Sequence, residues 1–465
     1  MNYMKSKNLI LAVASVGTFV EALDIAILNL SIPSIQAQFA IGTETVQWLQ
    51  TLYVLFFGGF LIIGGKLSDH VGRKKVFILG SLVFMLTSLG AGLSSGFETL
   101  AVFRALQGLG AAFIMPSAMS IVTNTFTEDQ ERNRAVGIFS SFAAIGSGSG
   151  LSLGGIISTY MSWHWVFLIN VPILAVTLIA AYYYLPKDQL SVKSEKTDWV
   201  SGLLLVSGLL SLTYGTHELV HIKEQPWSVV SSLVLAAVLL YALFHRLKSV
   251  SRPLIDLNLL KYRSLMVSNI SFMSLGAFFI GFLFLISLML QKDMEFSAAS
   301  AGLLLVPFSV MSALVAKFVL PIISKRMDSA KMAVFGWSFM LTGGLLLLIS
   351  VSNGHPLFLV LAGAASISGI GMTFCFTALS VMGVSDVDAS DYGVAASAGS
   401  TSYFLGAGIG LSFMTLMSQV FPSCRAVGSL SLMILIGYSL LALAGLVYFI
   451  IKKLKIRKGA VAFKS

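Results

Sequence analysis

Four ionisable residues stand inside otherwise apolar stretches of this 465-residue chain: Glu21, Asp24, Arg104 and Lys317. A charge at the centre of a membrane helix costs about 2.5–3.5 kcal/mol on insertion scales, so such residues are functional by default. Glu21 and Asp24 are three apart and share one helix face. At 1.5 Å per residue, Asp24 lies roughly 12 Å, and Arg104 roughly 8 Å, below the same outer boundary. At that similar depth they can face one central cavity. Carboxylates placed together in a low-dielectric cavity make each other easier to protonate. One of them can take a proton from one side and lose it to the other, while a lipophilic cation competes for the same charge. Exclusive occupancy gives exchange, with Arg104 modulating whichever acid it approaches. A plain ion pair of Arg104 with Asp24, tying two helices together, accounts for the same residues, because pairing removes much of the cost of burial. Lys317 stands near an inner helix end, where a lysine reaches out to the headgroups.

Other chemistries find no support. His217 and His221 are four apart, but two histidines without further ligands make a weak metal site. There is no phosphate-binding loop, catalytic triad or zinc motif. The expectation is a non-enzyme without cofactor or metal. Cys375 and Cys424 are the two cysteines and suggest free thiols rather than a disulfide framework.

The elements that must position the charged residues follow from composition. Hydrophobic residues make up 56% and charged residues 11%, against about 25% charged in soluble domains. That excludes a disordered chain, a disulfide scaffold and a nucleic-acid-binding domain. The expected class is an all-α membrane protein, since a barrel needs alternating, less apolar strands. With about 20 residues per crossing, fourteen spans fit: 9–33, 46–66, 76–95, 99–123, 135–158, 164–185, 199–216, 227–244, 264–290, 298–323, 332–351, 357–384, 394–420 and 429–451. The first run is too long for the apolar core of a signal peptide. Of 30 Lys and Arg residues, 25 fall in segments that this count puts on one side, and only Lys223, Lys292 and Arg425 fall in segments on the other. Positive residues stay inside, so both termini are expected in the cytoplasm. The net charge of +10 is then mostly an inner-leaflet anchor, not a nucleic-acid surface.

The longest hydrophilic stretches, 186–198 and 245–263, bracket spans seven and eight. They divide the chain into a six-helix bundle at 1–186, a two-helix insert with its linkers at 187–263, and a second six-helix bundle with a basic tail at 264–465. Transporters are often built from such repeats. Span five carries Gly137, Gly146, Gly148, Gly150, Gly154 and Gly155, and span thirteen carries Gly399, Gly406, Gly408 and Gly410 at matching places. Small residues let helices approach closely. Aromatic residues such as Phe139, Phe142, Phe272, Phe278, Phe279 and Phe282 suit flat, greasy cations.

The first inner loop reads Gly65-Lys66-Leu67-Ser68-Asp69-His70-Val71-Gly72-Arg73-Lys74-Lys75. Gly65 and Gly72 permit a tight turn and close approach. Asp69 and Arg73 can bond a helix end and an acid across the loop, holding one state of a rocking pair of domains. The spacing resembles the signature loop of the major facilitator superfamily. Leu23-Asp24 with Asn29 and Pro33 resembles the first-helix motif of its fourteen-span drug:proton antiporter branch. Trp48 and Tyr53 match that branch's second helix, and Arg104, Gln107, Gly108 and Gly110 its fourth. Trp163, Trp165, Phe167, Asn170 and Pro172 resemble the start of the sixth, and Gln291, Gly302 and Pro307 the junction of the ninth and tenth. Gly150-Leu151-Ser152-Leu153-Gly154-Gly155 departs from the fifth-helix antiporter motif, lacking its proline.

The resemblance implies the major facilitator fold with fourteen helices arranged 6 + 2 + 6. It implies a proton-coupled multidrug exporter working by alternating access as a monomer in the bacterial inner membrane, on amphipathic, often cationic compounds. Asp24 is expected as the main proton carrier, with Glu21 and Arg104 beside it. Gly65, Asp69, Gly72 and Arg73 would form the switch loop. Gly146, Gly150, Gly154 and Gly155 would form the antiporter packing face. Asn29, Tyr53, Gln107, Met115 and Phe142 would line the substrate cavity. A proton-coupled carrier of one specific metabolite, lipid or antibiotic remains the alternative.

Overall fold

Long apolar runs punctuated by Gly, Pro and charged clusters fold into helices, because within a bilayer every backbone group must be satisfied inside its own segment. A computed structural model describes residues 2–188, 198–221, 225–250, 253–254, 257, 261–387, 392–420 and 429–462. Among them the secondary structure is helical, without strands. The N-terminal group comprises α1 (Asn2–Asn29), α2 (Ile32–Phe39), α3 (Thr43–Val71), α4 (Arg73–Gly92), α5 (Phe97–Thr125), α6 (Asp129–Tyr160), α7 (His164–Leu168) and α8 (Asn170–Tyr184). Next come α9 (Trp199–His217) and α10 (Pro226–Ser249). The C-terminal group comprises α11 (Arg263–Leu288), α12 (Ala298–Leu314), α13 (Leu320–Ser324), α14 (Ser329–Ser352), α15 (Leu357–Ala364), α16 (Met372–Val384), α17 (Tyr392–Val420) and α18 (Ser429–Ala462).

Several expected spans are subdivided. The first helix stops at Asn29, short of Pro33, which instead sits in the opening turn of α2. There its missing N–H leaves nothing unsatisfied. The run expected at 164–185 is two helices meeting at Ile169, with Pro172 in the first turn of the second. Wide π turns close α11 at Met289–Asp293 and interrupt two further runs of the C-terminal group at Val315–Val319 and Ala365–Gly371. Among the described residues, thirteen helices are long and apolar enough to cross a membrane. The span expected at 394–420 lies in α17, a helix of 29 residues that is not one of the thirteen. Its many glycines, serines and threonines dilute its apolarity.

Packing repeats between the groups. The α6 face bearing Gly146, Gly150 and Gly154 lies directly on the α1 backbone: added Cβ atoms would meet the carbonyl oxygens of Phe19, Leu23 and Ile27 in turn. Both series step by four, one helical turn, so two parallel helices meet along matched ridges. In the C-terminal group, α17 lies on α11 the same way, with Gly406 on the Met273 carbonyl and Gly410 on Ala277. Between the groups, α6 packs on α12 and α3 on α17. The α9–α10 hairpin packs beside them, and α9 touches both α3 and α17, so it straddles the seam. Asp198 caps α9 through Ser201 and pairs with Arg246 of α10 at 2.9 Å. Burial pushes the Asp198 carboxyl up, but hydrogen bonds from Ser201 and the Arg246 guanidinium outweigh it and hold it below the usual value.

The ridge contact makes a paired prediction. Gly154→Leu forces a side chain into the α1 backbone, and overpacking of this kind costs about 1–3 kcal/mol. Gly137, in the same helix, has no neighbour within 4 Å of an added Cβ, and Gly→Ala in a helix gains about 0.5–1 kcal/mol. Thermal melting in detergent should fall for Gly154→Leu and hold or rise for Gly137→Ala. Equal melting temperatures for the two variants would contradict the packing.

Candidate functional site

Asp24 and Arg104 meet inside the N-terminal group, where α1, α5 and α8 converge. Both are fully buried, at 0% exposure. Arg104 Nη1 donates to Asp24 Oδ2 at 2.5 Å. Asn170 Nδ2, at the start of α8, donates to the other carboxylate oxygen at 3.0 Å. Both oxygens of Asp24 are therefore engaged. Arg104 is held in turn: its Nε donates to the Leu49 carbonyl at 3.2 Å, and Nη1 also donates to Gln107 Oε1 at 2.9 Å. Gln107 Nε2 passes the chain on to Ser88 Oγ at 2.7 Å. The guanidinium lies 4.3 Å from the centre of the Tyr53 ring and 5.8 Å from that of Phe167. A delocalised cation suits such stacking. The ion pair weighed from sequence is present, and it sits within a network spanning α1, α3, α4, α5 and α8.

Glu21 is placed differently. It is 6% exposed, and among the described residues it makes no hydrogen bond or ion pair. Its charge acts on Asp24 and on the phenols of Tyr53 and, from α17, Tyr403. Several buried polar atoms near this level lack partners: the Tyr53 hydroxyl, both amide atoms of Gln50, Arg104 Nη2 and the Thr401 hydroxyl. Buried polar groups are normally bonded, so an unpartnered set at one level marks a place for water or cargo.

The other expected site residues distribute as follows. Asn29 bonds back to Ile25 O and Ala26 O of its own helix. Gln107 belongs to the arginine network. Met115 and Phe142 are half-buried on α5 and α6. In the loop between α3 and α4, Gly72 has φ +116°, a region that favours glycine, and the carboxyl group of Asp188 occupies the space a Cβ would need. Asp188 accepts from the N–H groups of Lys74 and Lys75 at 2.9 and 3.2 Å, at the start of α4, where a carboxylate complements the helix dipole. Gly65 is half-buried with only Pro116 nearby, and Arg73 is half-buried with its Nε unpartnered. Cys424 and the side chains of Asp69, His217 and His221 lie outside the described residues. Lys317 is exposed in the second π turn, its ammonium 5.3 Å from the Phe318 ring.

Tyr403, Gln50, Ser88 and Asp188 were not singled out from sequence. Gln50 carried a signal, an amide inside an apolar span one helical turn before Tyr53. Tyr403 was hidden among the glycines of α17, and Asp188 in a hydrophilic linker where acids are ordinary.

Residues 14–411 match the Major Facilitator Superfamily. The chain is 29% identical over 413 residues to the multidrug resistance protein Stp of Mycobacterium tuberculosis, covering 88% of this chain and 75% of that one. It is 30% identical to the cephamycin export protein CmcT of Amycolatopsis lactamdurans, over 74% and 75% of the two chains. It is 33% identical to the puromycin resistance protein pur8 of Streptomyces alboniger, over 64% and 60%. A multi-pass helical membrane protein with a buried acid–arginine core and a match along most of its length, this chain belongs to the Major Facilitator Superfamily.

Proposed function

We propose that the chain is a proton-coupled exporter that moves amphipathic, often cationic small molecules out of a bacterial cell by alternating access. It works as a monomer in the cytoplasmic membrane with both termini inside. Its bundles at 1–186 and 264–465 rock against each other, and the hairpin within 187–263 rides at their seam. The observation that carries this reading is the acidic centre: Glu21 and Asp24 within one turn of α1, with Arg104 paired to Asp24. Buried acids at such a depth take up and release protons as access changes. The relatives named for drug resistance and export support the cargo class. Asp24, Glu21 and Arg104 form the coupling unit, and the loop from Gly65 to Arg73 reports its state to the inner surface.

Two relatives are named for single antibiotics, puromycin and cephamycin, which favours export of one antibiotic class as the second reading. Proton flux in proteoliposomes separates them. Ethidium, tetraphenylphosphonium and a quaternary ammonium compound should each trigger proton release from acid-loaded vesicles. Release with one antibiotic and none of these cations would select the narrow reading. No release with any compound would end the antiport proposal.

A further inference from the structure

Two acids share one turn of α1, yet their surroundings differ. Position 21 sits roughly 60° around the helix from position 24 at 3.6 residues per turn. Asp24 points to α5 and α8, where Arg104 and Asn170 occupy both its oxygens. Phe19 and Ala22 border Gly146 of α6. Glu21 falls between these two contacts, on the side where α1 looks across the seam, and its charge reaches Tyr403 of the opposite bundle. On α3, the Trp48 ring lies 6.4 Å from that of Tyr214 of α9, and Gly59 and Ile63 also meet α9. Gln50 lies on the other side of α3, roughly 60° from Tyr53, with neither amide atom bonded.

We infer that Glu21, not Asp24, is the exchanging carboxylate, and that it binds flat aromatic monocations between Tyr53 and Tyr403, with the Gln50 amide bonding their polar substituents. This rests on the antiport reading and divides the labour within it. Asp24 keeps its bonds to Arg104 and Asn170 throughout the cycle and holds the guanidinium in place. Glu21 loses its proton to the inner water as a cation enters, and takes one from the outer water as the cation leaves. The charged and titratable groups facing it are Asp24 on its own helix, Arg104 from α5, Tyr53 from α3 and Tyr403 from α17. Neither α6 nor α8 brings another at this level among the described residues. One free carboxylate exchanges one proton for one monocation, so a cycle moves no net charge.

Three measurements test it. In proteoliposomes, ethidium-triggered proton release should fall at least tenfold in Glu21→Gln, while its melting temperature stays near that of the parent because no hydrogen bond is lost. Wild-type exchange should proceed at one rate whether or not valinomycin and potassium impose a membrane potential. On the unmutated protein, dicyclohexylcarbodiimide, which attacks protonated carboxyls in apolar surroundings, should label Glu21 and spare Asp24 by mass spectrometry, with ethidium protecting. Labelling of Asp24 alone, exchange that survives Glu21→Gln, or a rate that follows the potential would each overturn the assignment and leave antiport standing. Wild-type vesicles that release no proton for any cation would instead remove the antiport reading itself.

Discussion

Replacing Arg104 with leucine should cost more stability than any other single change in the membrane core. The substitution leaves Asp24 as an uncompensated charge at 0% exposure, and breaking a buried pair costs about 3–5 kcal/mol. It also removes the bonds to Leu49 and Gln107 and the stack on Tyr53. The expected result is a large fall in melting temperature in detergent and a loss of monodisperse protein. Asp24→Asn leaves the Arg104 cation without its counter-charge but should cost less, because the asparagine Oδ1 can still accept from Arg104 and a turned Asn170 amide can accept from its Nδ2. The double variant Asp24→Asn/Arg104→Leu should then be more stable than Arg104→Leu alone. In a double-mutant cycle the two changes couple. Strictly additive changes in melting temperature would mean that the pair contributes no interaction energy.

This arrangement was partly legible in the sequence. Glu21, Asp24 and Arg104 announced themselves because charge is rare in apolar runs, and arithmetic on helix rise put the last two at one depth. Their direct pairing was one of two open readings, since depth does not give azimuth. The split between the acids was illegible for the same reason. Residues three apart share a face in a helical projection, yet a rotation of roughly 60° is enough to seat one carboxylate in a polar network and leave its neighbour free. Interruptions within spans were harder still. Pro33 reads as part of a continuous apolar run until the turn at Leu30–Ser31 is seen, and the π turns at Val315–Val319 and Ala365–Gly371 leave no compositional trace. By contrast, the glycines at 146, 150 and 154 stood out by their spacing. A four-residue repeat of the smallest residue implies a helix lying on that stripe, although only the structure names α1 as the partner.

Cross-linking α6 to α12 at their upper contact should abolish transport. At this end, away from the basic loops, the Ala299 N–H donates to Thr159 Oγ1 at 2.9 Å, and Gly155 lies against the backbone of Ala298. The Leu151 carbonyl borders Gly302, and Ser287 Oγ donates to the Asn29 carbonyl at 2.6 Å, joining α11 to α1. The two bundles are thus sewn together at this end. A carrier that alternates must break the sewn end once per cycle. Cysteines at Thr159 and Ala299, in a background with Cys375 and Cys424 replaced by serine, stand close enough for a disulfide to form. Oxidation should cut transport at least tenfold, and reduction should restore it. The covalent bond touches neither acid, so a loss reversed by reductant isolates the movement from the chemistry. If the oxidised protein carried cargo at its reduced rate, the α6–α12 contact would be a static seam, and the opening for release would have to lie elsewhere.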